Sequence, residues 1–337
     1  MRSSGCESSA VKRTDHRLPP ADAMGLSLFV RQARPCGPCR GTVVLVHGAT
    51  LASGLWDIAV PGYSMLEALA GIGYSVWAPD IRGYARSGRL SCPNAPYAGL
   101  HEAVRDIAAV VDHACHADGT SQVMVLGGSW GSITVARYAT EQPRRVRALA
   151  LVAPIYATPN ALWLSELSSP GAAGQLRADL GATRRVGRAD LCRRWDPEIP
   201  GGAPSLRRDD RVLDALMADA LAAEPDRPDG THSHDTFGVP NGTLQDLFES
   251  FSGRPLYEPA LLPMPVLLVR GEDDQTSTAI DMLALQQGLV HSQVQCETLP
   301  DAGHFICAER AAPVLQRLLG DFLARHSSPR PAGAGRG

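Results

Sequence analysis

Five residues, Gly127-Gly128-Ser129-Trp130-Gly131, stand directly between a short apolar run (123–126) and a helix-patterned run (133–140). This G-x-S-x-G arrangement between strand and helix constrains the chain more than any other feature. A side chain thrust out on a tight strand-to-helix turn needs small neighbours, so that backbone can approach it closely. Its place at a helix N-terminus supplies free N–H groups and positive potential, which suit a developing oxyanion. Ser129 is therefore the candidate nucleophile and the N–H of Trp130 a candidate oxyanion donor. Three glycines in five residues would also fit a plain helix entry or a phosphate-binding turn; the flanking strand and helix favour the nucleophile.

The elbow sits inside a regular rhythm. Apolar or β-branched runs at 42–46, 75–78, 123–126, 148–152, 266–269 and 294–299 read as strands. Between them lie helical patterns such as Leu100, Val104, Ile107, Ala108 and Val111. Strands alternating with helices predict an α/β fold with a mostly parallel, doubly wound sheet covered on both faces. The rhythm fails between about 157 and 262, where helical stretches (213–223, 244–251) are broken by Pro- and Gly-rich segments. The expected organisation is a disordered N-terminal segment (1–25), a core in two parts (26–156 and 263–325) around a mainly helical insertion (157–262), and a frayed tail (326–337).

Two further pieces of chemistry fall at strand ends, where open α/β sheets place their sites. His47-Gly48 ends the first core strand, and the following loop can turn the Ala49 N–H toward the nucleophile as the second oxyanion donor. His47 itself is expected to order that loop. Late in the chain, Gly271-Glu272-Asp273-Asp274 follows one strand and Asp301-Ala302-Gly303-His304-Phe305 the next. The order Ser129, acid, His304 is that of a nucleophile–acid–base triad.

Charge and composition exclude several classes. Lys+Arg 32 against Asp+Glu 35 gives a net charge of −3, unlike the basic face a nucleic-acid binder needs. No apolar run approaches the ~18 residues of a membrane helix. The first twenty residues lack the apolar stretch of a signal peptide, and the eight cysteines show no disulfide framework, so a reducing cytoplasm is expected. Cys36-Gly37-Pro38-Cys39 spells a redox motif but precedes a strand, not a helix, and reads as a turn that holds two thiols. The close histidine pairs His113/His116 and His232/His234 lack further ligands at metal-site spacing. No metal and no cofactor is expected.

Taken together, these motifs resemble the α/β-hydrolase superfamily over roughly residues 26–325. The likeness rests on Val-Val-Leu-Val-His47-Gly48-Ala49, on Pro79-Asp80-Ile81-Arg82-Gly83-Tyr84-Ala85-Arg86-Ser87, and on the elbow and the two late loops. It implies Ser129 as nucleophile, His304 as base, Ala49 and Trp130 as oxyanion donors, and Asp274 as the acid, preferred to Asp273 by the family's G-x-x-D spacing from Gly271. It implies a lid in the insertion. One departure is Ala85, where the family commonly has glycine. The Gly-Gly-Ser-Trp-Gly-Ser elbow also looks like that of proline-specific aminopeptidases. Their His-Gly-Gly-Pro-Gly loop is replaced here by His47-Gly48-Ala49-Thr50-Leu51, which argues against a peptidase.

The expected activity is hydrolysis of a carboxylic ester or lactone, with a small molecule carrying an apolar acyl or lactone group as the partner. Amide, peptide or thioester cleavage, acyl transfer, C–C hydrolysis and a non-enzymatic small-molecule receptor are the alternatives. Trp56, Tyr156, Trp163 and Phe305 are candidate substrate contacts. Most of the insertion's other rings (Trp195, Phe237, Phe248, Phe251, Tyr257) are expected to form its own small core.

Overall fold

The computed structural model describes residues 11–224 and 235–327. Six strands run parallel: β3 (Gly41–Val46), β4 (Tyr74–Asp80), β5 (Val123–Gly128), β6 (Val146–Val152), β11 (Val266–Gly271) and β12 (Val294–Leu299). Two N-terminal strands, β1 (Lys12–Leu18) and β2 (Leu28–Arg34), add to one edge antiparallel, giving the order β1-β2-β4-β3-β5-β6-β11-β12. The four strands from β4 to β6 in that order, and β11, are almost wholly buried, as both faces are covered. Val44, Val46, Val125, Leu149 and Leu151 pack on one side with α2 (Leu100–Asp118) and α3 (Trp130–Glu141). Val43, Leu45, Met124, Leu126 and Ala150 pack on the other with α1 (Met65–Gly71) and α10 (Ala312–His326). The doubly wound sheet is thus as expected.

The N-terminal expectation needs correction. Residues 12–18, assigned to a disordered segment, form β1 in register with β2, from Lys12 opposite Arg34 to Leu18 opposite Leu28. Only Leu18 of that strand is buried, so no apolar alternation marked it. Its charged residues suit an exposed sheet edge. Residues 1–10, the tail from 328 and His232/His234 lie outside the described residues. Cys36 and Cys39 fall between β2 and β3, in the turn expected.

Between β6 and β11 lie α4 (Ala161–Leu167), α5 (Arg188–Trp195), α6 (Pro204–Arg207), α7 (Asp210–Ala222) and α8 (Gly242–Phe251). The segment also holds two antiparallel pairs that local pattern did not announce: β7 (Ser168–Ser169) with β8 (Ala172–Leu176), and β9 (Thr183–Gly187) with β10 (Thr236–Pro240). Trp195, Phe237, Phe248, Phe251 and Tyr257 are buried, as expected of a small core there. The remaining helix, α9 (Ala279–Gly288), follows β11. No helix among the described residues is long and apolar enough to cross a membrane.

Candidate active site

The candidate nucleophile, acid, base and oxyanion donors gather at the carboxyl ends of the parallel strands. Ser129 follows β5 directly and adopts φ 56°, ψ −122°, a conformation that costs an L-residue of order 1–3 kcal/mol. The glycines around it allow the close crossing of strand and helix. A Cβ on Gly127 would lie 2.2 Å from the Gly131 carbonyl oxygen, and one on Gly131 would lie 2.5 Å from those of Val46 and His47. Trp130 opens α3, where its N–H has no carbonyl one turn back to bond.

The loop after β3 is held by the histidine expected to order it. The Ile81 N–H donates to His47 Nε2 (3.0 Å), so the ring proton is on Nδ1, which donates to the Gly48 carbonyl (2.8 Å). That carbonyl belongs to the same peptide unit as the Ala49 N–H, so the histidine fixes the plane of the candidate oxyanion donor. His47 is fully buried, and burial lowers its pKa and keeps it neutral. Tyr84 Oη and Arg184 Nη2 donate to the Ala49 carbonyl at 2.9 and 2.6 Å.

The acid and base arrive from the next two strand ends. His304 Nε2 lies 2.8 Å from Ser129 Oγ. His304 Nδ1 lies 3.0 and 2.9 Å from the two carboxylate oxygens of Asp274. The Thr276 and Ser277 N–H groups each donate to Asp274 Oδ1 at 2.8 Å and set the carboxylate's direction. Asp273 turns away and pairs with Arg207 at 2.6 Å. Of the two adjacent acids, Asp274 is the one brought to the histidine.

Buried acids that sequence reasoning missed tie this arrangement to the insertion, two of them (Glu198 and Asp246) supplied by the insertion and one (Glu309) by the core. Glu198 accepts from the His304 backbone N–H (2.6 Å) and from the Gln275 N–H (3.1 Å), and so ties the base loop to the acid loop. Burial raises its carboxyl above the ordinary range. Glu309 accepts from the Gly303 N–H and the Trp195 indole, both at 2.8 Å. On α8, Asp246 accepts from the Trp130 indole at 2.8 Å, and burial pushes its carboxyl up to about 7.

That position has a consequence for stability. Unfolded, Asp246 releases its proton near the usual carboxylate value of about 4. The folded chain holds a proton that the unfolded chain has lost between about pH 4 and 7, so the contribution is present at low pH and lost as pH rises through about 7. Asp246→Asn keeps an oxygen for the Trp130 indole and removes the charge. It is expected to raise the unfolding free energy at pH 8 by about 2 kcal/mol, with the gap closing near pH 5. Parallel chemical denaturation at the two pH values checks this; an equal or lower stability of the variant at pH 8 would refute it.

A cavity opens onto Ser129 and His304. Of the four candidate substrate contacts, Trp56, Trp163 and Phe305 line it. Tyr156 does not: its ring lies 5.3 Å from that of Tyr257, and its N–H is bound to Asp281 on α9. The insertion contributes Arg194, which no motif announced. Among the described residues no group of three or more His, Cys, Asp or Glu side chains is arranged to hold a metal ion.

The family model described as alpha/beta hydrolase fold matches residues 41–311, the stretch that carries the elbow, the Ala49 loop and both late loops. The chain belongs to the alpha/beta hydrolase fold family. This alpha/beta hydrolase is 35% identical over 103 residues to epoxide hydrolase B of Mycobacterium tuberculosis. That match spans 31% of this chain and 26% of the relative, so about a quarter of that enzyme is aligned. Among solved structures it is similar to a thermophilic esterase from Thermogutta terrifontis (TM-score 0.61, 16% identity, 94% of this chain and 100% of the other). It is also similar to the epoxide hydrolase VrEH1 from Vigna radiata (TM-score 0.63, 16% identity, 93% and 98%). Likeness at that identity speaks for the alpha/beta hydrolase fold alone.

Proposed function

We propose that this protein is a serine hydrolase that cleaves a carboxylic ester or lactone through a covalent acyl-Ser129 intermediate. The observation that carries the reading is the continuous relay from Ser129 Oγ through His304 to Asp274, at 2.8 and 2.9 Å, on a strained elbow. In it, neutral His304 takes the hydroxyl proton as Ser129 attacks the carbonyl carbon. Asp274 holds the ring in the tautomer whose Nε2 can accept that proton and stabilises the imidazolium. The Ala49 and Trp130 N–H groups receive the oxyanion, and loss of one such donor typically costs ~3 kcal/mol of barrier. His304 returns the proton to the leaving oxygen, then activates the water that releases the acid. The insertion serves as the lid that shields these steps from bulk water.

The likeness to enzymes named epoxide hydrolases favours a second reading, opening of an epoxide. Attack by a hydroxyl on an epoxide carbon would leave an ether on Ser129, which water does not cleave, whereas an acyl ester is cleaved. Turnover of an epoxide would therefore require water activated directly by His304. A fluorophosphonate probe separates the two: an adduct on Ser129, absent in Ser129→Ala, is expected, together with release of acid from 4-nitrophenyl esters. An unlabelled Ser129 beside diol formation from styrene oxide would overturn the acyl mechanism. Product analysis with and without an acceptor alcohol distinguishes hydrolysis from transfer.

A further inference from the structure

Arg194, on α5, lines the cavity that holds Ser129 and His304. Its guanidinium lies 4.6 Å from the centre of the Trp163 ring, and its Nη2 is buried without a hydrogen-bond partner. Among the described residues no carboxylate stands within ion-pair distance of it. Glu198, Asp274 and Glu166 act on it only at longer range; Glu198 is bound to the His304 and Gln275 N–H groups and Asp274 to the His304 ring. A guanidinium does not shed its proton at any ordinary pH, and a buried donor of a charged group left without a partner is costly. A second donor in the same cavity is also unsatisfied, since Trp56 is fully buried and its indole N–H has no partner.

A wider groove joins this cavity, with Ala49, Thr50, Trp163, Arg194 and Phe305 common to both. Five arginines line it (177, 184, 185, 193 and 194) against two acids, Glu166 and Asp190. Arg177, Arg185 and Arg193 are paired with Asp179, Glu224 and Asp190. The other two, at the inner end, form no salt bridge with any described residue. Arg184 donates to the carbonyls of Ala49 and Pro240 and to Asn241 Oδ1. Burial lowers the pKa of both Arg184 and Arg194, and for Arg194 it outweighs the opposing pull of Glu198, Asp274 and Glu166.

We infer that the site takes an ester or lactone whose acyl part carries a carboxylate, and that Arg194 is the group that binds this carboxylate. This rests on the acyl-Ser129 reading and names the substrate class within it. The planar fork of the guanidinium accepts a carboxylate with two parallel hydrogen bonds. Trp163 behind it and the apolar wall of Phe305 suit the methylene chain between carboxylate and scissile carbonyl. The two inner arginines, which form no salt bridge of their own, draw anions toward the cavity.

The test has two arms. In the first, calorimetry follows binding of the monomethyl esters of succinate, glutarate, adipate and suberate to Ser129→Ala. At least one is expected to bind, at least tenfold more weakly when Arg194→Gln is added, with Arg194→Lys in between. In the second, wild-type kcat/KM for mono-4-nitrophenyl adipate is compared with that for its neutral methyl ester. The ratio is expected to exceed ten, and to collapse toward one in Arg194→Gln through a rise in KM for the acid. No binding by any monoester, or binding equally tight without Arg194, would overturn the assignment. A ratio near one in the wild type would do the same while leaving the ester reading standing. Arg194-dependent binding with no ester turnover would support the anion site and sink the ester reading instead.

Discussion

Ser129→Ala should lower kcat on a 4-nitrophenyl ester by about a millionfold, the scale seen when a nucleophile is removed from a triad that works as a unit. Ser129→Gly should lose as much, yet melt higher than the wild type. The reason lies in the backbone at φ 56°, ψ −122°. Glycine adopts that conformation without strain, and relief of order 1–3 kcal/mol outweighs the ~0.5–1 kcal/mol that glycine's extra freedom costs in the unfolded chain. A net gain near 1 kcal/mol corresponds to a rise of about 1–2 °C for a chain of this size. Alanine meets the same steric demand as serine at this position and should not share the gain. Calorimetric melting of the three proteins, beside their turnover, checks both parts. Turnover within tenfold of wild type in Ser129→Ala would remove Ser129 from the chemistry. A glycine variant that melts lower would show the elbow to be unstrained.

Which parts of this molecule could be read from sequence follows from where the determining contacts lie. The central strands were legible because burial on both faces forces continuous apolar runs, as in β5 and β11, whose residues are all buried. The elbow and the Ala49 loop were legible because their chemistry is set by adjacent residues: small neighbours at 127, 128 and 131, and a histidine bonded to the very next carbonyl. β1 was not, since six of its seven residues are at least partly exposed and its order comes from pairing with β2. The pair β9 and β10 joins segments nearly fifty residues apart, which no local period reports. The same holds for Glu198, Arg194 and Asp246. Each is an unremarkable polar residue in the insertion, and becomes part of the site only when the insertion folds onto the strand ends. Ala85, the one departure from the resemblance in its loop, sits at φ 38°. The left-handed turn survives there without the glycine that would relax it.

Asp274→Asn is the second large effect, with an expected loss of about 10⁴ in kcat. Its physical basis is the proton on the histidine. The Asp274 carboxylate receives the His304 Nδ1 proton and leaves Nε2 free to accept one from Ser129 Oγ, 2.8 Å away. In the asparagine variant, Oδ1 still accepts from the Thr276 and Ser277 N–H groups, which turns the amide nitrogen toward Nδ1. An N–H facing Nδ1 favours the other tautomer, with the proton on Nε2, where it blocks acceptance from the serine. Asp273→Asn removes only half of an ion pair with Arg207, away from the relay. It should leave kcat within about threefold, and any cost falls on stability through the buried Arg207 rather than on the chemistry. Steady-state kinetics of the two variants therefore rank two chemically identical substitutions one residue apart. The reverse ranking would mean that the carboxylate serving His304 is Asp273 and that the turn after β11 has a different register in solution.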